Sequence, residues 1–269
     1  MKFTKMQGTG NDYVYINCFE ETVERPEELA ALVSDRHFGI GSDGLILICP
    51  SGQADCRMKM FNADGSESEM CGNGIRCVGK YVYDHHIVEK DEFDVETKAG
   101  IKHLKVTDEG GKAVLITVDM GIPKVTGEVP EPITIDGRSY EFIGISMGNP
   151  HAIYYMDEID GLDLEAMGPA FETHERFPER TNSEFIQVID RSHLRMRVWE
   201  RGSGETWACG TGATASAVAS VLSGRTENTV EVELKGGILS ITWDRESGHV
   251  YMTGPAVEVF QGEFDPENL

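Results

Sequence analysis

Cysteines 71 and 209 each stand directly before a glycine turn, in "CGNGIRC" (71–77) and "CGTGATA" (209–215). Glycine frees the backbone to turn its N–H groups outward. Each turn runs into a segment with helical spacing: Ile75, Val78, Gly79 and Val82 behind Cys71, and Ala217, Val218, Val221 and Leu222 behind Cys209. Both thiols are therefore expected at helix N-termini. There the helix dipole favours thiolate, so such cysteines are expected to titrate below the free value of about 8.5. The outward N–H groups form a cradle for an anion such as a carboxylate. If two such helix ends hold one carboxylate, a thiol lies on each face of its α-carbon. A thiolate on one face removes a proton and a thiol on the other delivers one, which inverts the centre by general acid–base catalysis.

The plainer reading of a free cysteine is a small buried hydrophobe, and Cys18, Cys49, Cys56 and Cys77 are assigned to it. A regulatory disulfide between Cys71 and Cys209 would leave the glycines unexplained. The six cysteines include no C-x-x-C pair, so neither a zinc site nor a thioredoxin-like motif is indicated, and no metal is expected.

Cys209 follows Cys71 by 138 residues, and the interval recurs from Asn11 to Asn149, from Asn62 to Glu200 and from Glu67 to Glu205. "FNADGSESEMCGNG" and "WERGSGETWACGTG" align without a gap. One long interval repeated at several special positions argues for a duplicated domain. The expected halves are 1–118, completed by the C-terminal tail 256–269, and 119–255, joined near Gly121 and Pro123. Helices are expected at 26–37, after a proline suited to a first turn, and at 168–177, besides those behind the cysteines. Between them lie strand-like runs such as "YVYIN", "LILIC", "RMKMF" and "AVLITVDM", then "YEFIGI", "HAIYYM", "LRMRVWE" and "ILSITW". Many short strands with a few helices read as α+β.

The chain has 269 residues, 40% of them apolar, and 24 basic against 46 acidic side chains give a net charge of −22. Such a surface repels phosphate backbones, which argues against nucleic acid as a partner. The opening "MKFTKMQGTGND" has no apolar signal region, and the longest apolar run, 45–49, is far too short for a bilayer. A cytoplasmic location with no membrane partner is expected.

These segments, with "GTGNDYV", "GIGSDG", "GNPHA" and "ERTNSEF", resemble the diaminopimelate epimerases over nearly the whole chain. The resemblance implies two pseudo-symmetric domains, each a curved mixed sheet around a central helix, with the active site in the cleft between them. It implies stereoinversion of L,L-diaminopimelate to the meso form without a cofactor, serving lysine and peptidoglycan precursor synthesis. Cys71 and Cys209 would be the acid–base pair. His151 would assist the proton of Cys71, and Glu200 would contact the reacting ammonium. The backbone of Gly72, Asn73, Gly210 and Thr211 would hold the reacting carboxylate. Arg201, which can fork onto a carboxylate, would clamp the distal end with Asn62, Asn149 and Asn182, and Asn11 would line the pocket. The substrate is then a small amino dicarboxylate, and a homodimer is an assembly the residues leave open. Where some members carry glutamine after the aspartate of "GIGSDG", this chain has Gly44. A racemase for histidine or proline would keep the cysteines but need no distal clamp. A thiol-switched binding module would need neither the clamp nor turnover.

Overall fold

A computed structural model describes residues 1–266; residues 267–269 of the expected tail lie outside the described residues. The chain divides into two compact units, one of Met1–Val118 with the chain from Gly254 onward, the other Asp119–Thr253.

The first unit opens with β1 (Lys2–Gly8), β2 (Asn11–Asn17), α1 (Pro26–Ser34), β3 (Gly44–Cys49), β4 (Cys56–Asn62) and β5 (Glu67–Ser68). It continues with α2 (Gly72–Asp84), β6 (Glu92–Thr97), β7 (Gly100–Glu109) and β8 (Lys112–Gly121). The second holds β9 (Lys124–Val125), β10 (Glu131–Ile135), β11 (Arg138–Ser146), β12 (Pro150–Tyr155), α3 (Leu164–Glu172) and β13 (Asn182–Val188). It ends with β14 (His193–Glu200), β15 (Gly204–Glu205), α4 (Gly210–Leu222), β16 (Thr229–Leu234), β17 (Gly237–Trp243) and β18 (Val250–Gly254). The last strand, β19 (Val257–Glu263), returns to β1 of the first unit as its antiparallel neighbour.

Strand order in the first unit is β19-β1-β2-β3-β4-β6-β7-β8, with β2–β3 and β4–β6 parallel. In the second it is β10-β11-β12-β13-β14-β16-β17-β18, with β12–β13 and β14–β16 parallel. The orders are the same, except that the edge strand β10 precedes its neighbour in the chain whereas β19 comes from the far terminus. Register repeats too: Val14↔Leu45 and Leu45↔Phe61 reappear as Ala152↔Ser183 and Ser183↔Trp199, each 138 residues on. Beyond the helices the interval falls to 137, since Cys56↔Val95 becomes Leu194↔Val232. The connection leaving α4 is one residue shorter than that leaving α2.

Each unit packs a thirteen-residue helix into its mixed sheet. α4 is built almost wholly of Ala, Gly, Ser and Thr and is buried from Gly212 through Ser220. A helix buried all round must satisfy its own polar groups. Here Thr214 and Ser220 donate to the carbonyls of Gly210 and Ser216 one turn back, both at 2.8 Å. α2 buries Ile75, Val78 and Val82 and also Arg76, which is fully enclosed and donates to the carbonyl of Gly72 and to Asn73 Oδ1.

Two expected helices have different bounds. α1 stops at Ser34 because Asp35 folds its carboxylate back onto the N–H groups of His37 and Phe38 at 2.7 and 2.8 Å. The helix expected at 168–177 is Leu164–Glu172, started by Asp163, whose side chain accepts from the Ala166 N–H. Pro169 therefore lies inside it rather than at its start. Both helices sit at the repeat interval, 26–34 and 164–172.

Candidate active site

Each cysteine is the N-cap of its buried helix, with extended backbone, φ −127° at Cys71 and −117° at Cys209. The Gly74 N–H donates to Cys71 Sγ at 3.3 Å, and the Gly212 N–H donates to Cys209 Sγ at the same distance. Sulfur here takes the part that a serine or aspartate oxygen usually plays at a cap. In both units the thiol lies where a parallel strand pair begins and the next antiparallel strand ends. For Cys71 these ends carry Asn11, Asp43 and Asn62; for Cys209 they carry Asn149, His151, Asn182, Glu184 and Glu200.

The surroundings of Cys71 are amide and phenol. Its thiol donates to Asn11 Oδ1 at 3.2 Å, and Asn11 Nδ2 donates to Asp43 Oδ2 at 2.7 Å. Arg36 Nη2 holds Asp43 from the other side at 2.9 Å. The chain Arg36–Asp43–Asn11 thus fixes which end of the amide meets the thiol. Tyr13 stands beside Cys71 and Asn11; burial first, and then the charge of Cys71, push its phenol well above the ordinary value. Asn73 turns its side chain inward, accepting from Arg76 Nη1 at 3.0 Å and from Thr9 Oγ1 at 3.3 Å, so what it can offer a ligand is its backbone. Asn62 opens a turn and donates to Ser66 Oγ at 3.0 Å.

The surroundings of Cys209 are carboxylate and imidazole. His151 Nδ1 lies 2.7 Å from Glu184 Oε1, and Nε2 lies 3.0 Å from Asn149 Oδ1. Asn149 Nδ2 in turn donates to Thr211 Oγ1 at 3.3 Å, beside Cys209. Oxygen atoms thus lie against both ring nitrogens. The side chains of His151 and Glu184 are wholly buried, and among the described residues Glu184 Oε2 has no hydrogen-bond partner. Glu200 accepts from Thr206 Oγ1 at 2.5 Å. Burial raises its carboxyl, outweighing the Thr206 hydrogen bond that lowers it. Burial first, and then the charges of Glu200 and Glu184, push the Cys209 thiol well above the ordinary value. This corrects the expectation that a helix N-terminus would favour thiolate at Cys209. Thr211 and the Gly212 N–H do favour it, but desolvation and two neighbouring carboxylates outweigh them.

Within its own unit, the ligand atom of His151 lies within 4.8 Å of those of Glu184 and Cys209. β12, β13 and α4 pack together in this unit. These three donors are of kinds that zinc accepts, but the imidazole and carboxylate already use the facing atoms on each other.

Asn182 is buried and donates to the Pro150 carbonyl at 2.9 Å while accepting from the Arg201 N–H at 2.9 Å. It joins two strand ends and shapes the turn that carries Arg201. The Arg201 guanidinium is exposed and donates to the Glu179 carbonyl at 3.2 Å. Among the described residues it has no ion pair. At Gly44 an added Cβ would stand 2.2 Å from the Phe61 carbonyl oxygen and 2.8 Å from the Tyr13 ring, so this backbone admits no side chain there.

The residues that sequence reading missed are Tyr13, Arg36 and Asp43 around Cys71, and Glu184 and Thr206 around Cys209. Two had a signal. Tyr13 is 138 residues before His151, and Glu184 is two residues beyond Asn182, the spacing that puts strand side chains on one face.

A model of the family described as diaminopimelate epimerase matches residues 3–126 and 143–259. A diaminopimelate epimerase of Acetivibrio thermocellus is 58% identical, with all of both chains covered. One from Desulfovibrio desulfuricans is 58% identical with 98% of each covered, and one from Methanococcus maripaludis is 54% identical, covering 98% of this chain and 100% of its own. Among solved structures, a phenazine biosynthesis protein of the PhzF family from Bacillus anthracis superposes with a TM-score of 0.75 at 18% identity, covering 98% of each chain. A hydroxyproline epimerase from Agrobacterium vitis does so with a TM-score of 0.73 at 16% identity, over 100% of this chain and 94% of its own. These two share the fold.

Proposed function

We propose, from the premise that this chain belongs to the diaminopimelate epimerase family and is an isomerase, that Cys71 and Cys209 invert one α-carbon of diaminopimelate as a two-base pair. The observation that carries the reading is the matched pair of cysteine caps, each accepting a backbone N–H at 3.3 Å at the head of a buried helix. The N–H groups of Gly72 and Asn73 and of Gly210 and Thr211 hold the reacting carboxylate. Glu200 receives the ammonium. Arg201 forks onto the distal carboxylate, with Asn62, Asn149 and Asn182 around it and Asn11 lining the site.

The proton steps follow from the two environments. Cys209, held as thiol by burial and by Glu200 and Glu184, delivers the first proton. Cys71, acting as thiolate after losing its own proton, removes the α-proton of the L,L isomer, and Asn11, fixed by Asp43, orients its sulfur. His151 assists the proton of Cys71, as the resemblance implies. No cofactor is needed in this scheme. A typical turnover of about 10 per second corresponds to a barrier of about 16 kcal/mol, and each donor aimed at developing carboxylate charge contributes roughly 3–4 kcal/mol. We place the reaction in the cytoplasm, in the supply of lysine and peptidoglycan precursors.

The test is α-proton exchange in deuterated water against a panel of amino acids. Exchange into L,L-diaminopimelate with build-up of the meso isomer is expected, with none into histidine or proline. Exchange into proline or histidine alone would overturn the two-ended substrate.

A further inference from the structure

Four cysteines lie outside the proposed chemistry, and they are not alike. Cys56 and Cys77 are fully buried in the first unit, as small hydrophobes should be. Cys18 and Cys49 are only half-buried, which corrects the assignment of all four to the core. They also face each other. β2 and β3 pair in parallel with Asn17 opposite Ile48, and the Cys18 N–H extends the ladder by donating to the Ile48 carbonyl at 2.8 Å. Cys18 and Cys49 are the next position along both strands, and both pack against the same cluster of Val14, Ile16, Leu45 and Leu47. Adjacent strands run about 4.8 Å apart, inside the window of about 4.4–6.8 Å between α-carbons that a disulfide spans.

From this juxtaposition we infer that Cys18 and Cys49 form a second, non-catalytic dithiol, oxidised to an intrachain disulfide by small disulfides of the glutathione type. The Cys49 thiolate attacks one sulfur of the small disulfide, forming a mixed disulfide and expelling one small thiolate, which takes up the Cys49 proton. Cys18, giving up its own proton, attacks the Cys49 sulfur. The Cys18–Cys49 bond forms, the mixed disulfide breaks and a second small thiol leaves. The protein loses two hydrogens and the small disulfide gains them.

The polarity of the pair suits this order. The hydrogen bond from Cys18 lowers Cys49 to about 7 against the opposing effect of burial, with the charges of Lys59 and Arg57 on β4 adding to it. The same bond, with burial, pushes Cys18 up. Cys49 is therefore the attacking sulfur and Cys18 the resolving one. The other unit has the same backbone without the chemistry: Met156 N–H donates to Ile186 at 2.8 Å, and the positions matching Cys18 and Cys49 are Met156 and Gln187. The dithiol also stands at the opposite end of β2 from Asn11 and Cys71, roughly 20 Å away at about 3.3 Å per residue.

The experiment is oxidation of the reduced full-length protein with oxidised glutathione near neutral pH, followed by alkylation, digestion and mass spectrometry. A peptide linked through Cys18 and Cys49 should accumulate, with two glutathiones released per chain. In Cys18→Ala, Cys49 should retain one glutathionyl group, and in the reduced variant its alkylation at pH 7 should slow several-fold. In Cys49→Ser the link should vanish, and in Cys56→Ser it should persist. A wild-type chain in which Cys49 stays glutathionylated beside a free Cys18 would overturn the inference, as would a link that survives Cys49→Ser. Both are read by mass alone, so failure of the epimerase reading would leave the inference standing.

Discussion

The two cysteine caps share a backbone and differ in the side chains beside the sulfur. At Cys71 the neighbours are an amide, a phenol and the Arg36–Asp43 pair one step removed. At Cys209 they are two carboxylates and an imidazole, in a pocket where the residue is only 6% exposed. The helix N-terminus is common to both and so cannot set their difference. What differs is the strand chemistry: Tyr13 and Ile46 on one side stand where His151 and Glu184 stand on the other. A duplicated scaffold can thus present two sulfurs in the same backbone geometry while surrounding them with different charges and hydrogen-bond partners.

The strongest way to break this comparison is to remove the sulfurs one at a time. Cys71→Ala and Cys209→Ala should each lose epimerisation by at least about 10³-fold, since inversion needs an acid and a base and each proton-transfer group contributes about 10²–10⁴. Elimination of fluoride from a β-fluoro analogue needs a base alone. Each mutant should therefore still process one α-configuration, and the two should choose opposite ones. Near wild-type inversion by either mutant, or equal elimination by both from one isomer, would end the two-base scheme.

Next in size is the clamp. Arg201→Lys keeps the charge but loses the fork, and kcat/KM with diaminopimelate should fall by the equivalent of about 1.5–3 kcal/mol, the range for one hydrogen bond to a charged group. Unchanged kinetics would show that Arg201 does not receive the distal carboxylate.

The glycines inside the motifs sharpen the contrast. A Cβ at Gly212 would lie 2.6 Å from Glu184 Oε1 and 3.2 Å from Cys209 Sγ, whereas one at Gly74 would meet the Ile46 Cδ1 and Met58 Cε methyls at 2.7 and 3.2 Å. Methyl ends can swing aside; a buried carboxylate tied to His151 cannot. Gly212→Ala should cost about 1–3 kcal/mol in thermal unfolding and most of the activity, and Gly74→Ala clearly less of both. Equal losses would mean that the two caps are held with equal rigidity.

The smallest expected effect is electrostatic. Glu184→Gln keeps shape and an acceptor for His151 but removes one of the charges that raise Cys209. With less repulsion of the thiolate, the pH at which iodoacetamide alkylates Cys209 should move down. An upward move, or none, would take Glu184 out of the account.

Much of this was legible in the residues because the signals were local or periodic. The helix behind each cysteine follows from glycine and apolar spacing, and the strand runs from alternation. The helix at 164–172 could have been found from the repeat interval, which α1 sets, but Pro169 drew its expected start inward. The assignment of Cys18 and Cys49 to the core failed for a different reason. Burial depends on where a strand ends relative to its neighbours, and strands β2 and β3 both end at that point.

The sequence by itself determined the two cysteine caps, the interval of 138 residues between them and the candidate ligands at matched positions. It did so because N-caps, glycine turns and repeats are properties of short stretches and of their spacing. Only the tertiary structure decided that Cys209 rests as a buried thiol against Glu184 and Glu200, that Tyr13 and Asn11 face Cys71, and that Gly44 has no room for a side chain. Those outcomes depend on desolvation and on the charges of neighbouring strands. Both are fixed by register between segments far apart in the chain, which spacing along one strand does not encode.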